Sequence, residues 1–378
     1  MLYREYGNTK EQVSLLGFGC MRFPQSDGKI DEEQSTEMLK YAIDNGVNYI
    51  DTAYPYHDKE SEPFVGKFLK ENNLRDKIKL ATKLPIWVVK SKDDMYKYFN
   101  RQLERLQTDY IDFYLVHALD KGHWERLKAL GLFEFLDEIK ASGKVKHIGF
   151  SFHDSINVFK EIVDGYDWEF CQIQYNYLDE DYQAGLEGLL YARNKGLGMA
   201  IMEPLRGGKL AGNMSDDLLE IIDDSKVGKN PVELAFQFIY DKEEVDVVLS
   251  GMSNLEQVKD NIRIANELGN ENSLTKDERE LITNLSDMIK NKTKVVCTDC
   301  KYCMPCPMGV NIPKCFEILN NSAMFNDTCG AKSSYNNFVI SNGQQASKCV
   351  QCRQCEDSCP QNIKIIDNLE IVKNIFEG

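Results

Sequence analysis

The sequence predicts a (β/α)8 TIM barrel followed by a second, small, cysteine-rich unit. Two observations lead there. Eight short β-rich runs alternate with segments of helical period over the first 285 residues, and ten of the twelve cysteines fall between Cys297 and Cys359. Strands that alternate regularly with helices read as a parallel sheet covered on its faces, and eight such units suffice to close a barrel. A doubly wound open sheet is the rival. No G-x-G-x-x-G follows the first strand, which weakens the dinucleotide-binding form of that rival.

The expected strands are Val13–Gly19, Val47–Asp51, Ile78–Thr82, Tyr110–Val116, Lys146–Ser151, Phe170–Gln174, Met199–Met202 and Val245–Leu249. Several are nearly all apolar, as buried parallel strands are. Between them, Asp31 with Gln34 and Asn254 with Gln257 have the spacing of helix N-caps. Met38, Leu39, Ala42 and Ile43 then share one face before Gly46, and Leu255, Val258, Ile262 and Ala265 repeat the pattern. Leu132, Phe135, Leu136 and Ile139 form a third stripe, ended by Ser142-Gly143. These stripes read as core.

The composition is that of a folded globular protein, with 42% apolar and 28% charged residues. No apolar run has the roughly 18 residues of a membrane helix, and Met1–Tyr6 lacks the apolar core of a secretory signal, so a cytoplasmic setting is expected. The net charge of −15 disfavours nucleic acid as a partner. Residues 291–378 carry +1, and the first 290 carry −16. This shift, with the charged run Met288–Lys294, sets the expected domains at 1–285 and 286–378.

In barrels of this kind the chemistry sits at the C-terminal ends of the strands. Asp51 ends the second run with Tyr56 five residues on, Lys83 follows the third, and His117 follows the fourth. A phenol is a poor acid, with a pKa near 10. A neighbouring ammonium lowers that value, and a carboxylate can hold the ammonium in place. Such a set can protonate a carbonyl oxygen while a hydride reaches its carbon. Each residue alone has a plainer reading as a cap, a surface charge or a core histidine; their joint placement favours catalysis.

Cys297, Cys300, Cys303 and Cys306-Pro307 are spaced by two residues each; Cys349, Cys352, Cys355 and Cys359-Pro360 follow the run C-x2-C-x2-C-x3-C-P. The second run is that of bacterial ferredoxins, in which the fourth cysteine ligates the other cluster. The assignment that follows is Cys297, Cys300, Cys303 and Cys359 for one [4Fe–4S] cluster, and Cys349, Cys352, Cys355 and Cys306 for a second. Zinc is the competing reading, since four-cysteine zinc sites use paired C-x2-C hooks. Two triple hooks, each ending in Cys-Pro, favour iron–sulfur. Between the runs the sequence predicts a short helix over Pro313–Leu319 and a polar stretch over Asn320–Asn337. Cys20 and Cys171 are isolated, and Cys315 and Cys329, which fit neither run, are expected to be ordinary buried or partly buried thiols.

Gly17-Phe18-Gly19, Asp51-Thr52-Ala53 with Tyr56, Lys83, and Tyr110–His117 together resemble the aldo-keto reductase family over residues 1–285. Cys303-Met304-Pro305-Cys306-Pro307 and Gly149-Phe150-Ser151-Phe152-His153 are similar to the branch of that family with a C-terminal, mainly α-helical ferredoxin-like domain. The resemblance implies Tyr56 as general acid, Asp51 and Lys83 as its tuning pair, and His117 as the group that orients the carbonyl. It implies NADPH or NADH, with Ser151 and Gln172 at the carboxamide, Gly207 in the loop that wraps the pyrophosphate, Gly251 just after strand eight, and Gln257, Asp260 and Asn261 toward the adenosine. Three positions depart from the usual pattern. Phe152 stands where many members carry Asn, Met202 where many place an aromatic ring, and the basic residue that often holds the 2′-phosphate just after the eighth strand is missing.

The function expected is an oxidoreductase acting on a small carbonyl or alcohol, with the clusters serving a redox partner protein. The alternative is a non-enzymatic iron–sulfur electron carrier that uses the barrel as a docking scaffold. Tyr54, Trp87 and Trp124 are the candidate substrate-lining residues.

Overall fold

The computed structural model describes residues 1–211, 214–297, 299 and 301–378. The chain forms two compact units, Met1–Leu210 with Lys229–Lys276, and Ala211–Gly228 with Asp277–Gly378. The expected division at residue 285 falls inside one continuous helix, Lys276–Asn291, whose apolar face carries Leu281, Ile282, Leu285 and Ile289. Beyond it, Lys292 pairs with Asp217 at 3.0 Å, so the segment 211–228 groups with the second unit.

In the first unit eight parallel strands close a barrel in sequence order. They are β1 (Leu16–Gly19), β2 (Tyr49–Asp51), β3 (Lys79–Leu84), β4 (Ile111–Leu119), β5 (Val145–Phe152), β6 (Phe170–Gln174), β7 (Gly198–Met202) and β8 (Val247–Ser250). All eight expected strands are present, Phe170–Gln174 with the expected bounds and the others with shifted ends. The first is split. Gln12–Ser14 pairs antiparallel with Tyr3–Glu5 outside the barrel, and β1 begins only at Leu16. Ser14 causes the turn between them: its Oγ donates to the Leu16 carbonyl at 2.7 Å, and its N–H donates to Asn48 Oδ1 at 2.7 Å. Strand β8 starts two residues later than expected; just before it the Asp246 carboxylate accepts from the Met199 N–H at 2.8 Å, and the Asp246 N–H donates to the Met199 carbonyl at 3.0 Å.

The barrel is filled from below by rings. Tyr6 lies among Tyr49, Phe113 and Phe170, with centroids 5.8, 4.9 and 5.4 Å away. Val13, Ala81, Leu115, Ala200, Val247 and Leu249 complete this cluster. The closed lower end leaves the C-terminal rim as the accessible mouth, where a barrel carries its chemistry.

The second unit is helical and packs Val310, Ile312, Phe316, Leu319, Tyr335, Val339, Leu369 and Phe376 into its own core. The expected helix Pro313–Leu319 is longer, Ile312–Phe325, and Thr328–Tyr335 forms another within the stretch read as polar. Polar residues there have structural partners. Asn320 Oδ1 accepts from the Val295 N–H at 2.9 Å and its Nδ2 donates to the Val295 carbonyl at 2.7 Å. Ser322, Phe325, Ala331 and Tyr335 are buried. Among the described residues, no helix is long and apolar enough to cross a membrane.

The ring plug sets a stability test. A Cβ on Gly198 would stand 2.4 Å from Tyr6 Cδ2. Overpacking of this kind costs about 1–3 kcal/mol. Gly198→Ala is therefore expected to lower the urea midpoint of the barrel; an unchanged midpoint contradicts the plug.

Candidate active site and cysteine cavities

Register builds the rim. Asp51 pairs with Ala81 and Lys83 pairs with Leu115, so the ends of β2, β3 and β4 lie side by side. Lys83 Nζ donates to Asp51 Oδ1 at 2.6 Å, to the Thr52 carbonyl at 2.9 Å and to Tyr56 Oη at 3.2 Å. Lys83 is fully buried and Asp51 is 3% exposed, so the pair is desolvated. The short 3-10 turn that starts at Tyr56 brings the phenol back over the ammonium, with Nζ 4.9 Å from the ring centroid.

His117 reaches the same point by a different device. The β4–β5 register shifts between Val116 and Leu119, and Ala118 has φ +48°. An irregularity of this kind re-aims a side chain at a strand end. The Ala118 N–H donates to Ser151 Oγ at 2.7 Å, so Ser151 buttresses the shift. The His117 ring stands edge-on to Tyr56, centroids 6.3 Å apart, and its buried Nδ1 has no hydrogen-bond partner among the described residues.

Electrostatics assign the proton inventory. Burial raises the Tyr56 phenol, Lys83 pulls it back, and the net shift is upward. Lys83 lowers it as expected, but desolvation outweighs the ammonium, and the phenol is protonated at neutral pH. Burial works against the charge on Lys83, but Asp51 and Tyr56 outweigh it and raise the ammonium. Burial, Lys83 and His153 together hold His117 well below the ordinary imidazole range, so its ring is neutral.

A second layer, not legible in the sequence, supports Lys83 from behind. Gln102 Nε2 donates to the Lys83 carbonyl at 3.0 Å and to Glu62 Oε1 at 2.6 Å. Thr82 donates to the same carboxylate, and Arg105 Nε pairs with its other oxygen at 2.9 Å. Of the candidate lining residues, Trp87 stands at the mouth, 46% exposed with its ring 5.2 Å from His117. Tyr54 is buried against Tyr98, and Trp124 is core beside Phe133 and Trp168. Cys20 is buried near Asp51 and Lys83, which shift its thiol in opposite directions after burial has raised it.

The expected cofactor residues divide into two groups. Ser151 and Gln172 are direct neighbours in the β5–β6 register. Gln172 Nε2 contacts Met202 Sδ at 3.4 Å, while its Oε1 is buried with no partner among the described residues. An orphaned acceptor beside a serine hydroxyl suits a carboxamide. Phe152 is core against Phe159 and offers no polar group. Gly207 and Gly208 have φ of +69° and +92°, and nothing stands within 4 Å of a Cβ on Gly208. Gly251 follows β8 directly. The remaining three make local contacts. Gln257 Oε1 accepts from the Ser253 N–H at 2.8 Å, Asp260 pairs with Arg263 at 2.7 Å, and Asn261 Nδ2 donates to Ser250 Oγ at 2.9 Å.

In the second unit Cys303, Cys306, Cys349, Cys352 and Cys355 line one cavity of about 200 Å³. Cys297, Cys303 and Cys359 line a neighbouring, smaller one of about 20 Å³, and Ile312 borders both. Cys300 lies outside the described residues. Among the described residues, no three Cys, His, Asp or Glu groups close on a point suited to a single ion. The first cavity's donor set and size fit a sulfur-ligated cluster. Cys315 is buried beside Tyr335; Cys329 is exposed, contrary to expectation.

The family profile described as "Aldo/keto reductase family" matches residues 15–283, and that of a "4Fe-4S dicluster domain" matches residues 296–363. The chain belongs to the aldo/keto reductase family and is an oxidoreductase that carries a 4Fe–4S domain. It is 27% identical to aldo-keto reductase YhdN of Bacillus subtilis over 66% of its own length and 85% of that protein. It is 26% identical to L-galactose dehydrogenase of Arabidopsis thaliana, over 77% and 96% of the two chains. The holo structure of aldo-keto reductase AKR11C1 from Bacillus halodurans superposes with a TM-score of 0.64 at 28% identity, covering 75% of this chain and 96% of that one.

The buried pair sets the second test. Asp51→Asn keeps the shape and removes the countercharge of a buried ammonium. Breaking such a pair costs about 3–5 kcal/mol. A chemical denaturation curve should show a loss of that size, and a loss under about 1 kcal/mol, the level of an exposed pair, contradicts the ion pair.

Proposed function

We propose that the barrel reduces a small carbonyl compound, or oxidises the matching alcohol, with NADH or NADPH as hydride source or sink. The observation that carries this reading is the Lys83 ammonium, fully buried and shared between Asp51 at 2.6 Å and Tyr56 at 3.2 Å. A bound reduced nicotinamide supplies a hydride to the carbonyl carbon. Tyr56 Oη donates its proton to the oxygen, and Lys83 stabilises the phenolate left behind. Neutral His117 orients the carbonyl oxygen. Ser151 and the free Oε1 of Gln172 hold the carboxamide, and Ser151 also fixes the turn that aims His117. Trp87 closes one side of the substrate's approach.

The second unit is proposed to hold two [4Fe–4S] clusters. The larger cavity, lined by Cys306, Cys349, Cys352 and Cys355 together with Cys303, supports those four as one ligand set; Cys303, which also lines the smaller cavity with Cys297 and Cys359, joins them and Cys300 in the other. Such clusters pass electrons singly, whereas a nicotinamide passes two as hydride, and the two are ordinarily coupled through a mediator. The clusters accordingly serve a one-electron redox partner protein. The intact Asp51–Lys83–Tyr56 arrangement weighs against a carrier with a decayed barrel.

One anaerobic experiment tests both parts. Tyr56→Phe should lower carbonyl reduction on the order of 10²–10⁴-fold, the usual share of a general acid, and leave the visible cluster absorption intact. NADH alone should leave that absorption unmoved in the wild-type protein, and dithionite should bleach it. Undiminished reduction by Tyr56→Phe overturns the proton assignment, and bleaching by NADH alone overturns the separate electron route.

A further inference from the structure

His57 directly follows the proposed acid, and the chemistry above gives it no part. Its backbone is strained. His57 and Asp58 both sit in the left-handed region, with φ +51° each, and Lys59 follows at φ +77°. Such a run costs free energy for any residue but glycine and persists only where the surroundings hold it. The bonds within the turn are short-range. The Tyr56 N–H donates to the Ala53 carbonyl at 3.2 Å, and the Glu60 N–H donates to the His57 carbonyl at 2.9 Å. They shape the turn but do not fix where it stands on the rim.

The His57 ring supplies that fixing. Its Nε2 accepts from the Phe23 N–H at 3.2 Å, and the Gln25 side-chain amide stands 2.8 Å from its Nδ1. A ring nitrogen that accepts carries no proton, so the contact belongs to the uncharged imidazole. The partner is itself held. Phe23 is buried, with its ring edge-on to Phe64 at 5.1 Å and 5.8 Å from Phe18 of β1. Phe64 lies in the helix Ser61–Glu71 that leaves the turn. At the start of that helix Ser61 Oγ donates to the Cys20 carbonyl at 3.1 Å. The segment that carries Tyr56 is thus tied at two points to the chain just beyond β1, and the tie nearer the phenol is His57.

We propose that His57 is the positioning residue for Tyr56: its imidazole latches the strained turn to the backbone after β1 and so keeps the phenol 3.2 Å from the Lys83 ammonium. This rests on the reading of Tyr56 as proton donor. His57 acts through the backbone it shares with Tyr56, not on the reacting carbonyl. Its removal therefore misplaces the acid without removing it, and misplacement by about 1 Å can cost on the order of 10²-fold in rate.

The test is steady-state reduction of para-nitrobenzaldehyde by NADH and by NADPH with the full-length, anaerobically purified protein. His57→Ala keeps the left-handed strain and removes the latch. Its kcat should fall on the order of tenfold to a hundredfold, with KM for the aldehyde and the dinucleotide nearly unchanged. His57→Gln can place an oxygen near the Nε2 position and should recover most of the loss. His57→Gly relieves the strain but has no ring, so it should melt above His57→Ala and yet be as slow. A purely structural role would make rate follow stability across the two variants. Wild-type kcat in His57→Ala or in His57→Gly overturns the latch, and so does a His57→Gln as slow as His57→Ala. Tyr56→Phe is measured alongside to separate the two readings. If wild-type protein shows no Tyr56-dependent turnover of the aldehyde, the proton assignment fails and the latch goes with it. If Tyr56→Phe is slow and His57→Ala is not, the latch fails alone.

Discussion

A lysine ammonium with no solvent exposure is the constraint around which the barrel rim is organised. Desolvating such an ion costs several kcal/mol unless close partners return it. Lys83 has three such partners: the Asp51 carboxylate, the Thr52 carbonyl and the Tyr56 hydroxyl. Each lies on or just after β2, so the β2–β3 register must be held closely. From behind, β3 is anchored by the buried Gln102, Glu62 and Thr82 with the partly buried Arg105. The same arrangement that keeps a charge inside the protein leaves a phenol directly above it, and the chemistry of the rim follows from that.

The two imposed perturbations are complementary. Burial raises the phenol and depresses the imidazole. One group is thereby kept as a proton donor and the other is kept uncharged. A charged His117 beside Lys83 would place two cations at the carbonyl and compete with Tyr56 as acid. The Ser151 hydroxyl links this polarity to the cofactor side, since it accepts from Ala118 at the shift that aims His117 and neighbours Gln172 in the sheet.

Much of this was legible in the sequence because strand ends are readable. Apolar runs stopping at Asp51, Thr82 and Val116 put an acid, a lysine and an imidazole on one rim, and the cysteine spacings mark the second unit. What was not legible depends on distance across the fold. The register shift at Ala118 has no motif, since it arises from pairing with β5. The segment from Asn320 reads as polar, yet its helices bury Phe325 and Tyr335, and Asn320 satisfies the backbone of Val295. The direction of the Tyr56 shift also needed the fold, because burial and the Lys83 charge oppose each other and only the structure weighs them.

The claim most exposed to test is that Tyr56, not His117, gives up the proton. The measurement is the single-turnover rate of carbonyl reduction, with the dinucleotide bound beforehand, from about pH 5 to pH 11. The phenol must be protonated to act. With its pKa raised, the rate should be flat through neutral pH and fall only above the ordinary phenol value of about 10. A limb near the ordinary imidazole value of about 6.5 would show a histidine titrating in the step and would contradict the account.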